Sequence, residues 1–214
     1  MDGAPRMGCD NDHLGTLMPV GAPSTPSMYS KFRAHLVNYA DDFVILSRGH
    51  AAEALAWTRA VMTKLGLTLN ETKTSLKDAR TEGFDFLGYT LGPKYAPEGG
   101  QKYLGASPSR KSVRRIKDKI GELLKPGEKG SWPQVRDRLN RRWAGWSAYF
   151  SYGTCAPAYR AVDHYVNERV RRFLAKRHKE PGRGTRPFSW SEIHGKFGVA
   201  QLLQTPKAAA VGLP

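Results

Sequence analysis

Three consecutive stretches between residues 107 and 179 place apolar side chains at helical spacing on one side and basic side chains on the other. Val113, Ile116, Ile120 and Leu124 form the first stripe. Val135, Leu139, Trp143, Trp146 and Phe150 form the second, and Tyr159, Val162, Val166, Val170 and Phe173 the third. Such a stripe is stable only when turned toward a partner, so three in succession predict three helices around a shared core. Ser107 or Ser109 is placed to cap the first. Trp143 and Trp146 lie on the apolar stripe and read as core residues rather than base-stacking platforms. The outer faces are strongly basic: residues 101–190 hold 22 Lys/Arg and 7 Asp/Glu, while the rest of the chain holds 12 of each, so the whole formal charge of +15 resides here. A polyanion partner is the physical expectation, because cations that neutralise phosphates release condensed counterions. A merely solvated surface is the plainer alternative.

The chain before this region has a different texture. Residues 1–30 are rich in Gly, Pro, Met and Ser and read as irregular. "FRAHLVNYADDFVILSR" reads as a β-hairpin with a short polar turn. "GHAAEALAWTRAVMTKLGL" reads as a helix, with Leu55, Thr58, Met62 and Leu65 on one face and Gly66 ending it. "LTLNETKTSL" reads as a strand, a turn and a second extended piece. "GFDFLGYTLG" reads as one short strand with glycines at its bends, and "PKYAPEGGQKY" as a loop. The expected fold class is α+β: an antiparallel sheet with a helix over residues 31–95, then a helical domain over residues 105–204 and a flexible tail at 205–214, with the change of texture near residues 93–106.

Several classes are excluded or disfavoured. No apolar run approaches the roughly 20 residues of a membrane helix, so no membrane partner is expected. The N-terminus lacks the basic-then-apolar order of a secretory signal. Cys9 and Cys155 alone support neither a disulfide framework nor a four-cysteine zinc site, and a reducing, intracellular (cytoplasmic) setting is expected.

In "LVNYADDFVIL", Asp41 and Asp42 interrupt an apolar run. Asp is common at turns for its bonds to backbone donors, which is the plain explanation. The flanking Val37, Tyr39, Phe43 and Ile45 suggest instead a pair at the end of a buried hairpin, where like charges are most simply compensated by a divalent cation. Beside a basic, phosphate-binding region, that pattern points to carboxylates holding Mg²⁺ for phosphoryl transfer.

On these residues the chain resembles the group II intron reverse transcriptase/maturase family. "YADD", Tyr39 to Asp42, is similar to the catalytic hairpin. "GLTLNETKTSL", Gly66 to Leu76, resembles the segment after the palm helix, and "FDFLGYTL", Phe84 to Leu91, the primer grip. "LNRRWAGWSAYFSYG" and "VNERVRRFLAKRHK" resemble the thumb, or maturase, domain. The resemblance spans roughly residues 33–204. It implies an RNA-directed DNA polymerase and maturase whose partners are structured intron RNA, an RNA template and a DNA primer, with Mg²⁺ as cofactor. Asp41 would be the direct metal ligand and Asp42 the weaker one. Tyr39 and Ala40 would pack near the primer–template terminus. Lys73 would approach the triphosphate, or else is an ordinary exposed lysine. Phe86, Leu87, Gly88 and Tyr89 would hold the primer strand. Phosphate contacts fall to Arg114, Arg115, Arg138, Arg141, Arg142, Arg171, Arg172, Lys176 and Arg177.

The chain also departs from the family. Two-metal chemistry takes a further aspartate from an earlier palm strand, preceded by a fingers domain. "GCDNDHLGTLM", Gly8 to Met18, resembles a shortened form of that segment and makes Asp10 the candidate third ligand, without the family's Phe and Ile. The expectation is therefore the end of a palm plus a thumb, with an incomplete two-metal site and little polymerase activity unless a partner polypeptide supplies fingers and first palm motifs. The alternative is a non-catalytic RNA-binding module that assists intron folding and splicing.

Overall fold

In the computed structural model, residues 31–203 are described, except 97, 98, 181 and 183. The fold class is the expected α+β: small antiparallel sheets, then a mainly helical C-terminal region. The chain divides into two compact units after Leu76. The proposed third ligand, Asp10, and the tail at 205–214 lie outside the described residues.

In the first unit, β1 (Ala34–Tyr39) and β2 (Asp42–Ser47) pair antiparallel, with Tyr39 opposite Asp42. The loop is therefore the two residues Ala40 and Asp41. Ala40 sits at φ +52, a left-handed conformation that tight hairpins demand and that glycine adopts without strain. Helix α1 (Ala51–Lys64) follows, with Leu65 at its C-cap and Gly66 at φ +70 reversing the chain, as its sequence suggests. The core of this unit is small: Phe32, Ala34 and Ala54 are buried, with Ile45 and Trp57 packed against them. Of the helix face read from the sequence, only Thr58 is buried, beside Ala54. The segment "LTLNETKTSL", read as a strand, a turn and a second extended piece, has the turn but no strand. It forms a turn in which the Lys73 and Thr74 amides donate to Asn70 O, tied to α1 by a two-pronged Arg59–Glu71 pair at 3.0 and 2.6 Å. An alternating pattern becomes a strand only with a neighbour to complete its ladder, and among the described residues this segment has none.

The second unit opens with a sheet of three strands where the sequence suggested one. These are β3 (Phe84–Phe86), β4 (Tyr89–Tyr95) and β5 (Lys102–Pro108), in that spatial order. The texture change read near residues 93–106 falls inside the β4–β5 hairpin. The glycine expected to bend one strand instead makes a β3–β4 hairpin, with Leu87 at φ +48 and Gly88 at φ +80. Both central residues are left-handed, the pattern of a type I′ turn.

Helices α2 (Arg110–Leu123), α3 (Trp132–Tyr149) and α4 (Ala156–Arg177) are the three expected from the stripes. Ser109 caps α2, its Oγ accepting the Ser112 amide at 3.2 Å. At the start of α3, Gln134 Oε1 accepts the Ser131 amide at 3.1 Å and Pro133 occupies the first turn, where a missing N–H is harmless. Leu139, Val135, Val162, Val166, Val170 and Leu174 are wholly buried, and Trp143 is 3% exposed. Trp146 is half-buried against Phe150 and Tyr159. The chain then returns through α5 (Trp190–His194) and is pinned across the helices. Trp132 Nε1 donates to Phe197 O, Asn140 bonds both Gly198 O and the Ala200 amide, and buried Asp163 accepts the Leu202 amide at 3.1 Å. Burial pushes the Asp163 carboxyl above its ordinary range.

Candidate nucleic-acid interface

The acidic pair stands at the tip of the β1–β2 hairpin, Asp41 in the loop and Asp42 as the first residue of β2. The sequence pattern suggested the end of a buried hairpin. Instead both carboxylates are exposed, as are Leu36, Val37 and Tyr39 beside them. Among the described residues, the hairpin packs on α1 near its base, through Phe32, Ala34 and Ile45. The two aspartates offer oxygen donors of the type Mg²⁺ takes. Among the described residues no third acidic, histidine or cysteine side chain joins them. Tyr39 is 66% exposed, Ala40 carries the strained φ, and the Lys73 side chain is exposed on its turn with no partner among the described residues.

The Phe86–Tyr89 turn has a definite structural job. Gly88 O accepts the Ser109 amide and the Ser112 hydroxyl, both at 2.8 Å, and the Tyr149 hydroxyl donates to Leu87 O at 2.9 Å. The Tyr89 hydroxyl donates in turn to Tyr149 O at 2.7 Å, and its ring lies 4.9 Å from that of Phe150. These bonds hold Leu87 in a conformation that a branched side chain rarely adopts, and they lock the turn to the start of α2 and the end of α3. A Cβ on Gly88 would meet Ser112 Oγ at 2.9 Å.

The nine basic residues singled out from the sequence fall into two groups. Arg138, Arg171 and Arg177 are engaged within the protein. Arg138 donates to Glu128 at 2.9 Å, Arg171 pairs with Glu168, and Arg177 donates to Gly130 O at 2.8 Å while resting over the Phe173 ring. The Arg138 guanidinium and the Gly130 amide hold the Glu128 carboxyl below its ordinary range. Arg138 also lines a polar cleft of about 430 Å³, together with Gln134, Asp137 and Arg141. Arg114, Arg115, Arg142 and Lys176 are exposed or half-exposed with no partner among the described residues. Arg141 makes one long bond to Asp137 O, and Arg172 is 68% exposed and 3.6 Å from Glu168. The second group therefore has little internal pairing, and its charges stay accessible at the surface.

Cations outside that set of nine join them. Lys111 and Lys119 lie one turn either side of Arg115, and all three are exposed. Their spacing, i to i+4 along one face of α2, was the available signal. Arg169, by contrast, is structural: its guanidinium donates to Gly121 O at 3.2 Å and ties α4 to α2. No helix among the described residues is long and apolar enough to cross a membrane.

The same region is where a likeness to known proteins appears. Residues 113–188, from the first turns of α2 to the approach to α5, match the family described as the group II intron, maturase-specific domain. No curated protein matches the chain.

Proposed function

We propose, from the match of residues 113–188 to the group II intron maturase-specific domain, that this chain grips structured intron RNA through the exposed cations of α2, α3 and α4 and so assists its folding for splicing, inside the cell. The observation that carries this is the sorting of the basic residues. Three are spent on internal bonds, while Arg114, Arg115, Arg141, Arg142, Arg172 and Lys176 are left accessible on a packed helical frame. Paired RNA hides its base edges and presents phosphates and 2′-hydroxyls, so a rigid cationic surface suits recognition by shape. Each phosphate neutralised adds to the salt dependence of binding. Titrating the chain into a folded group II intron RNA over a range of KCl concentrations should give affinity that falls linearly with salt on logarithmic axes. Affinity indifferent to salt, or no affinity at all, would refute the reading.

A second reading is favoured by the hairpin: two exposed carboxylates at a tight tip, one beside a strained Ala40. In this reading Asp41 and Asp42 hold Mg²⁺, which supplies charge neutralisation for phosphoryl transfer, with Tyr39 and Ala40 against a primer–template end, Lys73 near a triphosphate, and Asp10 as third ligand. Phe86 to Tyr89, including Leu87 and Gly88, would then steady a primer while keeping their bonds to α2 and α3. The test is Mg²⁺-dependent extension of a DNA primer on an RNA template, with Asp41→Ala/Asp42→Ala alongside. Extension that persists unchanged in the double variant removes the hairpin from the chemistry.

A further inference from the structure

A groove of about 600 Å³ lies between α2, the first turns of α4 and the β4–β5 hairpin, away from the polar cleft near Arg138. Apolar side chains make one part of its lining, Val113 from α2 with Pro157, Ala158, Ala161 and Tyr165 from α4, beside Pro108 and the hydroxyls of Ser107 and Thr154. Another part is cationic, with Lys94, Arg110, Arg114 and Lys117 set against the single carboxylate of Asp118. Lys117 is held over the Tyr165 ring at 5.5 Å, and Lys94 Nζ donates to Ser107 Oγ at 2.8 Å, so two of the four cations are already positioned. Arg110 and Arg114 are exposed, on consecutive turns of α2, with no partner among the described residues.

Apolar and cationic side chains lining one groove match the two halves of one ligand, a flat base and its phosphate. The volume lies in the range of about 300–1,000 Å³ that takes small organic molecules, and is too small to seat a duplex. Within an A-form helix the base faces are stacked and out of reach, so only an unpaired residue can lay its base on such side chains. We propose that this groove takes one unpaired nucleotide of the bound RNA, from a bulge or a loop. The base lies against Pro157, Ala158, Ala161 and Tyr165, and the phosphate between Arg110 and Arg114. This deepens the RNA-binding reading and rests on it. The exposed cations of the helices hold the helical part of an RNA without regard to sequence; the groove sets where along that RNA the protein stops.

The test uses the full chain and two RNA hairpins. One is fully paired, and the other carries a single bulged nucleotide replaced by a fluorescent purine analogue. The bulged hairpin should bind about ten-fold more tightly at near-physiological salt, with a change in analogue fluorescence on binding. Ala161→Trp fills the groove from an exposed position. It should abolish the preference while leaving affinity for the paired hairpin unchanged. Arg110→Gln, which alters no packed residue and lies outside the cations assigned to the helical part of the RNA, should reduce the preference independently. Equal affinity of the wild type for the two hairpins overturns the proposal, as does a preference that survives Ala161→Trp. Failure to bind either hairpin strikes at the RNA reading itself and takes the groove with it.

Discussion

The two units of this chain bury apolar residues to very different degrees. The second closes a core around Leu139, Val166, Val170, Leu174 and Ile193, all 0% exposed. The first buries only Phe32, Ala34 and Ala54 among its described apolar residues, and leaves Leu36 54%, Leu46 47%, Leu65 66%, Leu67 55% and Leu76 56% exposed. Amphipathic helices can satisfy one another within a single short region. A two-stranded hairpin with one helix has too little surface to cover both faces of its strands. The contrast teaches that the charged, helical part carries its own stability, whereas the acidic hairpin sits on a unit whose apolar faces the described residues do not cover.

Truncating one leucine in each unit should expose the difference most strongly. Leu139→Ala should cost about 2–5 kcal/mol, because it empties a fully enclosed site, while Leu36→Ala should stay within about 0.5 kcal/mol. Denaturant unfolding of the two variants reads both values, and similar losses would abolish the distinction. Next in size is Gly153→Ala. This residue has φ +73, and a Cβ there would stand 2.3 Å from Ala106 O, so the loop after α3 would have to shift from β5. A loss of about 1–3 kcal/mol is expected by the same measurement.

A third test sharpens the picture of how α3 and α4 join. The Tyr159 hydroxyl donates to Phe150 O at 2.9 Å and Ser147 O at 3.1 Å, and burial pushes it up to about 12 from an ordinary 10.0. The protonated phenol is favoured in the folded state. Its contribution is therefore complete below pH 10 and is lost as pH rises toward 12. Thermal melts should show this alkaline decline in the wild type and a shallower one in Tyr159→Phe, at a cost of about 1 kcal/mol near neutrality. The smallest effect belongs to the hairpin tip. Ala40→Gly relieves the φ of +52 and should change stability by no more than about 1 kcal/mol, because the entropy of glycine offsets the relief. A large stabilisation would mean that the tip is far more strained than its geometry implies.

The helical part is the more legible in sequence for the same physical reason that it is the better packed. Its stripes, Val135 to Phe150 for example, describe a core that is complete within the region, so reading the period is enough. The strands are harder. "LTLNETKTSL" alternates as a strand does, yet no neighbour completes its ladder, and Leu67 is exposed. The Leu87–Gly88 turn looks like a mere bend in sequence because the bonds that hold it come from Ser109, Ser112 and Tyr149, distant along the chain. The acidic pair is legible as a motif, but its exposure is not, since its apolar flanks suggest burial that the described residues do not provide. Composition alone picks out the basic residues but cannot separate Arg138, held by Glu128, from Arg142, which has no partner among the described residues. That division depends on which carboxylates and carbonyls the fold brings alongside.

In the proposed function, binding to RNA belongs to the helical unit and not to the acidic hairpin. The most direct measurement is the salt dependence of affinity for a group II intron RNA, compared between two variants of the full chain. Arg141→Gln/Arg142→Gln/Arg172→Gln/Lys176→Gln should lower the logarithmic salt slope by up to about one for each cation removed and weaken binding accordingly, while Asp41→Ala/Asp42→Ala leaves both unchanged. An unaltered slope in the first variant, together with weakened binding in the second, would contradict the account.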